Sequence, residues 1–290
     1  MSPVSAIHSK IASAPALLAA EARLREGTVP SQLGGHAVPP GSMRLDGEAF
    51  ILNTTTGYAF HYAKGRGVTM TRSAMADPAE QELWLNGSVY AAIAAIHGFM
   101  PFHASAVAWD GAVYAFSGPS GAGKSTLTAA LGAHGLPLFC DDTLVLDISD
   151  PARVLCLPGH KRLKLTPQAL ALTGTRALEK VDPEIDKYYA EPLAGPVGEV
   201  LPLARLIFLE DGEGPVFAPI VGAGRVARIN DDHYTTDLFV AARNDTLAQR
   251  FALVAELART IVMERLVRPR DDASFAAVTA GIAAHIKERG

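Results

Sequence analysis

The residues Gly118-Pro119-Ser120-Gly121-Ala122-Gly123-Lys124-Ser125 carry the most specific chemistry in this chain. They match the pattern G-x-x-x-x-G-K-[ST] at every fixed position. Glycines let successive backbone N–H groups turn inward around phosphate oxygens, and a helix that starts at the lysine adds the positive end of its dipole. In such a loop Lys124 reaches the β- and γ-phosphates and the Ser125 hydroxyl holds Mg²⁺. The apolar run Ala112–Phe116 before the motif reads as a strand, and Thr126–Leu131 after it as a helix, which is the setting the loop requires. Residues Gly118 to Thr126 are therefore the expected site for ATP and its Mg²⁺.

A second constellation follows one helix and one strand later, where Asp141-Asp142 closes the apolar run Leu136–Cys140. In P-loop folds the neighbouring strand commonly ends in an acid near the metal. One carboxylate of such a pair can bind Mg²⁺, and the other can accept a proton from an attacking hydroxyl. Asp-Asp before a strand is also a turn signal, but its place after the P-loop favours function. His103, just ahead of the strand pair that feeds the loop, reads on its own as a structural histidine more readily than a catalytic one. The basic run His160-Lys161-Arg162-Leu163-Lys164 suits either an anionic ligand or a protected strand edge. Lys187-Tyr188-Tyr189 lies in a Pro/Gly-flanked stretch that suits a substrate lid or a plain surface excursion. Asp231-Asp232-His233 looks like part of a metal site, yet no partner nearby completes one, and loop solvation is the simpler reading.

The elements that must position these groups are legible in outline. Residues 1–100 read as a small α+β region. It holds an amphipathic helix around Ala14–Ala20, a Pro/Gly-rich loop over 28–42, and strands at Glu48–Leu52, Tyr58–Tyr62 and Val68–Thr71. A helical pattern follows from Asp77 to Met100, with Leu85, Val89, Ile93 and Ile96 on one face and Gly87 as a weak point. Residues 101–290 read as the nucleotide-binding domain. Ser105–Trp109 and Ala112–Ser117 form a hairpin around Asp110-Gly111. Further strands are expected at Leu144–Asp147, Arg153–Leu157, Leu203–Leu209 and Thr260–Leu266, with a closing helix over Asp272–Lys287.

Composition limits the partners. The 290 residues carry 26 basic and 30 acidic side chains, a formal charge of −4 without a polybasic tract. Nucleic acid or an anionic membrane is thus not an expected partner. No apolar run approaches the ~20 residues that span a bilayer. The two cysteines, Cys140 and Cys156, form no C-x-x-C pair, which argues against a disulfide framework and suits a reducing cytoplasm.

With His103 ahead of a hairpin, the loop Gly118–Ser125 and Asp141-Asp142 ending the next strand, residues 100–270 resemble the catalytic domain of the HPr serine kinase/phosphorylase family. Phe102-His103-Ala104-Ser105-Ala106-Val107 is especially similar to its short, stand-alone homologues, which include kinases that phosphorylate a serine on lasso peptides. The resemblance implies an α/β fold with a P-loop core related to phosphoenolpyruvate carboxykinase, behind a small α+β N-terminal region. It implies an ATP- and Mg²⁺-dependent serine kinase, with Lys124 on the phosphates, Ser125 and Asp142 at Mg²⁺, Asp141 as base and His103 assisting transfer. It also implies a small protein or peptide carrying the acceptor serine, such as a lasso-peptide precursor, and self-assembly, since hexamers occur in the family. Two departures point away from HPr itself. Ser125-Thr126 stands where the family has Ser-Glu, and Leu157–Arg162 replaces its downstream Arg-Gly signature.

Other readings keep the loop but change the chemistry. A shikimate-kinase-type enzyme shares the loop and the acid-bearing strand, yet such enzymes begin within a few residues of the P-loop strand. An ABC-type ATPase needs a Leu-Ser-Gly-Gly-Gln run that this chain lacks. A nucleotide-binding regulator would retain Lys124 and Ser125 but have no use for Asp141.

Overall fold

The computed structural model describes residues 13–150, 152–159, 162–182, 184–195, 197–230 and 233–289. Two compact units divide the chain. One holds Met1–Phe102, Asp182–Glu184 and Asp232–Arg250; the other holds His103–Val181, Ile185–Asp231 and Phe251–Gly290. The first unit thus draws on segments beyond residue 100, where the sequence reading drew its boundary.

The first unit begins with α1 over residues 13–21, in which Ala14 and Leu18 are buried and Leu17 is exposed, the one-sided pattern of an amphipathic helix. After β1 (Leu24–Glu26), the Pro/Gly-rich stretch is not wholly loop. Its centre forms a minimal hairpin of β2 (Gln32–Leu33) and β3 (His36–Ala37). A meander of β4 (Ser42–Asp46), β5 (Ala49–Asn53), β6 (Tyr58–Ala63) and β7 (Gly67–Arg72) then builds a five-stranded sheet, with β1 added parallel to β7. Burial alternates along β6, where Tyr58, Phe60 and Tyr62 point into the core, as the pleat of a one-sided sheet requires. The following helix is broken. α2 (Glu80–Trp84) passes through a π turn at Leu85–Val89 into α3 (Tyr90–Ile96), and Gly87, at φ −96° and ψ −105°, supplies the break.

The second unit is built on an eight-stranded sheet of β8 (Met100–Trp109), β9 (Ala112–Ser117), β10 (Leu138–Cys140), β11 (Thr143–Asp147), β12 (Leu155–Leu157), β16 (Leu201–Asp211), β17 (Val216–Pro219) and β18 (Met263–Arg268). Between β9 and β10 lies α4 (Lys124–Gly132). A separate three-stranded sheet of β13 (Leu163–Leu165), β14 (Ala177–Lys180) and β15 (Tyr188–Ala190) is joined by α5 (Pro167–Thr173). After β17 the chain runs through α6 (Ala223–Ile229), α7 (Tyr234–Arg243) and α8 (Leu247–Thr260) to β18, and closes with α9 (Phe275–Lys287). Sequence periodicity did not resolve α6 to α8. Because α8 runs through Thr260, β18 starts at Met263, later than the spacing suggested. α7 belongs to the first unit, where it packs on α3 and β4.

Sheet direction explains where the chemistry collects. β9, β16 and β18 run parallel, so their C-terminal ends share one edge. β8 is antiparallel to β9, with Ala104 opposite Ser117, which sets His103 beside the start of the phosphate loop. β10 is antiparallel to β8 and so delivers Asp141 and Asp142 to the same edge. The hairpin register is fixed by Asp110 and Gly111, both at positive φ (47° and 72°), the conformation of a two-residue type I′ turn. Leu127 and Leu131 of α4 join Val278 and Ile282 of α9 in a core over Phe116, Ile207 and Leu266. Ile282 has no solvent exposure. Its replacement by alanine should therefore lower unfolding free energy by about 2–5 kcal/mol, read from urea denaturation; a loss below about 0.5 kcal/mol would mean that α9 does not close this core.

Candidate active site

Gly118 and Gly123 show why the loop needs its glycines. At φ 146° and 83° both lie in territory that side chains rarely enter. A Cβ on Gly118 would meet the Leu209 carbonyl at 3.3 Å, and one on Gly123 would meet Arg268 Nη2 at 2.9 Å. The loop's carbonyls are turned away and tied to cations. Lys124 Nζ donates to Gly118 O (2.8 Å) and Pro119 O (3.2 Å). Arg270 Nη2 donates to Gly121 O (2.6 Å) and Arg268 Nη2 to Ala122 O (2.8 Å). The Ala122 N–H is taken up by Pro119 O at 3.1 Å, so the other N–H groups of the loop are the ones that could meet an anion. Arg268 is only 6% exposed and its Nε has no hydrogen-bond partner. Burial, and then the neighbouring Arg270 charge, pull its pKa down.

The Asp-Asp step splits two carboxylates between different surroundings. Asp141 is buried. Its Oδ1 accepts from the hydroxyls of Ser105 (2.5 Å) and Ser125 (2.8 Å), and its Oδ2 from the Lys164 backbone N–H (3.2 Å). Asp142 adopts φ 70°, which an aspartate tolerates better than most residues, and its side chain stays one-third exposed. Lys164 Nζ donates to Asp142 Oδ2 at 2.9 Å. His103 Nδ1 lies 3.1 Å from the Asp142 carbonyl oxygen and 3.8 Å from its Oδ1. His103, Lys124, Ser125 and Asp142 all line one cavity of about 350 Å³; Asp141 stands behind it. The sequence reading paired Asp142 with Ser125 at the metal and made Asp141 the base. In the structure Asp141 accepts from the Ser125 hydroxyl, and Asp142 lines the cavity.

Burial raises the pKa of Asp141, and the nearby Asp142 adds to this against Lys164 and the two serine hydroxyls. Lys124, Lys164, Lys187, Arg268 and Arg270 face Asp142 and Asp272 around the cavity, so it favours anions. Among the described residues no group of three or more His, Cys, Asp or Glu side chains gathers to hold a metal by itself. One hydroxyl and one or two carboxylates suit a Mg²⁺ whose remaining ligands are phosphate oxygens and water.

Several contributors were not singled out from sequence. Ser105 sits two residues after His103 and so shares its face of β8, a signal that strand alternation offers. Arg268 ends β18, which runs parallel to β9, and Arg270 follows two residues later, at the edge where open α/β sheets bind ligands. The lid reading of Lys187–Tyr189 gives way to a regular strand. Tyr189 is the middle of β15, buried under the Arg162 guanidinium at 3.6 Å, and Lys187 reaches the cavity. Arg162 also pairs with Glu179, while His160 and Lys161 lie outside the described residues. His233 caps α7, with Nδ1 accepting from the Thr235 N–H; Asp231 and Asp232 lie outside the described residues. Both cysteines are buried free thiols, and no described helix is long and apolar enough to cross a membrane.

No family model matches the chain, and no curated protein matches it either. Among solved structures it is similar to the HPr(Ser) kinase/phosphatase from Coxiella burnetii, at 16% identity and a TM-score of 0.33. That likeness covers 66% of this chain and 99% of the other.

The Asp141 pKa gives a pH test of the site. A carboxylate whose folded pKa is raised holds its proton more readily when folded, so its contribution is present at low pH and lost as pH rises through the folded value. Asparagine at 141 removes that dependence. Between about pH 4 and neutrality, the stability of Asp141→Asn relative to wild type should shift in the variant's favour as pH rises, as urea unfolding would read. A shift in wild type's favour would mark Asp141 as an ordinary stabilising carboxylate.

Proposed function

We propose that the protein transfers the γ-phosphoryl group of ATP to a serine hydroxyl on a small protein or peptide. The observation that carries this reading is the division of Asp141 and Asp142 beside the phosphate loop. One carboxylate fixes the Ser125 hydroxyl, and the next opens onto the cavity where an acceptor would lie. The resemblance of the His103, Gly118–Ser125 and Asp141-Asp142 constellation to HPr-type serine kinases supplies the acceptor class.

In this reading the N–H groups of Gly118–Ser125 cradle the phosphates, and Lys124 leaves the Gly118 and Pro119 carbonyls for the β- and γ-phosphates. The Ser125 hydroxyl would hold Mg²⁺, with Asp141 behind it orienting that hydroxyl, and the ion when bound would neutralise phosphate charge. Asp142 accepts the proton of the acceptor serine as its oxygen bonds to phosphorus. The bond from that phosphorus to the β–γ bridging oxygen breaks, and ADP leaves. Geometry comes before pKa in choosing a base, and Asp142 is the carboxylate that lines the cavity. His103 positions Asp142 through its carbonyl, and Lys164 holds its side chain.

Transfer of label from γ-labelled ATP with Mg²⁺ to HPr, a lasso-precursor peptide and small hydroxyl compounds tests the reading. Serine labelling is expected, with Asp142→Asn lowering turnover by ~100-fold or more at nearly unchanged ATP affinity. Asp141→Asn should instead weaken Mg·ATP binding. If the two variants exchange these effects, Asp141 is the base after all. Label on small compounds alone would make this a metabolite kinase. Tight ATP binding without transfer to any acceptor would make it a regulator. Arg268→Met, which keeps the side chain's length but not its hydrogen bonds, should weaken ATP binding by about tenfold; calorimetry showing wild-type affinity would remove Arg268 from the cradle.

A further inference from the structure

The triphosphate reading accounts for only part of the cavity lining. We infer that the end above the first turn of α4 is the nucleoside subsite, with Asp272 taking the ribose hydroxyls and Phe275 and Leu172 enclosing the base. This rests on the reading of Gly118–Ser125 as a triphosphate cradle.

With Lys124 on the β- and γ-phosphates, the α-phosphate comes out over the start of the helix that follows the loop. There Thr126, Gln168, Leu172, Asp272 and Phe275 line the cavity. Two helices bring them to this place. α5 packs on α4 through Ala169 against Ala129, and α9 packs on it through Val278 and Ile282 against Leu127 and Leu131. The turn that leads into α9 is pinned to the loop by Arg270, which donates to Gly121 O at 2.6 Å. Gln168 Nε2 then bridges from α5 to both carboxylate oxygens of Asp272, at 3.1 Å each.

The chemistry of this end differs from that of the phosphate end. Around the loop and Asp142 the cavity presents Lys124, Lys164, Arg268 and Arg270. Beyond Thr126 it presents a carboxylate, an amide, an aliphatic side chain and an aromatic ring. A carboxylate repels phosphate but accepts hydrogen bonds from a neutral diol. Each carboxylate oxygen has two acceptor sites, and Gln168 occupies one on each, so one on each remains for neighbouring hydroxyls. A phenyl ring and a leucine side chain suit the faces of a flat heteroaromatic base.

Calorimetric titration of the full chain with Mg²⁺ complexes of ATP, 2′,3′-dideoxy-ATP and inorganic tripolyphosphate separates the two ends. Wild type should bind ATP about tenfold or more tighter than either other probe, as expected for hydrogen bonds to a charged group. Asp272→Asn should weaken ATP but not dideoxy-ATP, and Phe275→Ala should weaken both nucleotides. Phe275→Ala should leave tripolyphosphate binding unchanged, and Asp272→Asn should not weaken it. Asp272 is exposed and Phe275 half-buried, so both variants should fold, as a melting curve would verify. Tripolyphosphate binding equal to that of ATP, or equal losses for all three probes, would overturn the subsite while leaving the phosphate cradle standing. Wild type that binds none of the three would overturn the cradle and the subsite together.

Discussion

A carboxylate removed from water must find its hydrogen bonds inside the protein, and Asp141 draws them from three separate segments. Ser105 comes from β8, Ser125 from the first turn of α4 and the Lys164 N–H from β13. These contacts fix the Asp141 side chain, and they fix the strand end from which Asp142 projects. Burying an ionised group is unfavourable unless such donors are in place. The arrangement therefore trades some stability for a preorganised site, as functional sites commonly do.

The loop is held by the same logic with the sign reversed. A peptide that presents its N–H groups to an anion must put its carbonyls elsewhere, and here Lys124, Arg268 and Arg270 receive four of them. Arg268 has no carboxylate within ion-pairing distance among the described contacts, so its charge remains available to the field of the cavity. The glycines at 118 and 123 are required by their positive φ, and a Cβ at either place would crowd its neighbours.

Much of this was readable from the chain. The phosphate loop, the Asp110-Gly111 hairpin and the acid-bearing strand are local signals, written in turn chemistry and in short apolar runs. Three strands of the meander in the first unit were legible as short apolar runs between turns, while β4 was missed. Ser105, Lys164, Arg268, Arg270 and Asp272 were harder, since each matters through a partner far away in sequence. Register between β8 and β10 decides that Ser105 meets Asp141, and no local pattern reports register. The roles of Asp141 and Asp142 were equally invisible, because adjacent residues on a strand end differ only in which way each side chain turns. The helices between β17 and β18 were missed although α8 is rich in apolar residues, several of which, such as Leu247 and Phe251, are exposed and so mark no buried face.

The contact between Arg268 and Ala122 spans 146 residues. Such a closure is entropically expensive, and contacts of this range form late in folding. The strand and helix that flank the loop can condense early from neighbours in sequence, but the carbonyls of Gly121 and Ala122 find their partners only after β18 has joined the sheet. The geometry of this loop therefore depends on a strand far along the chain and not on the local motif alone.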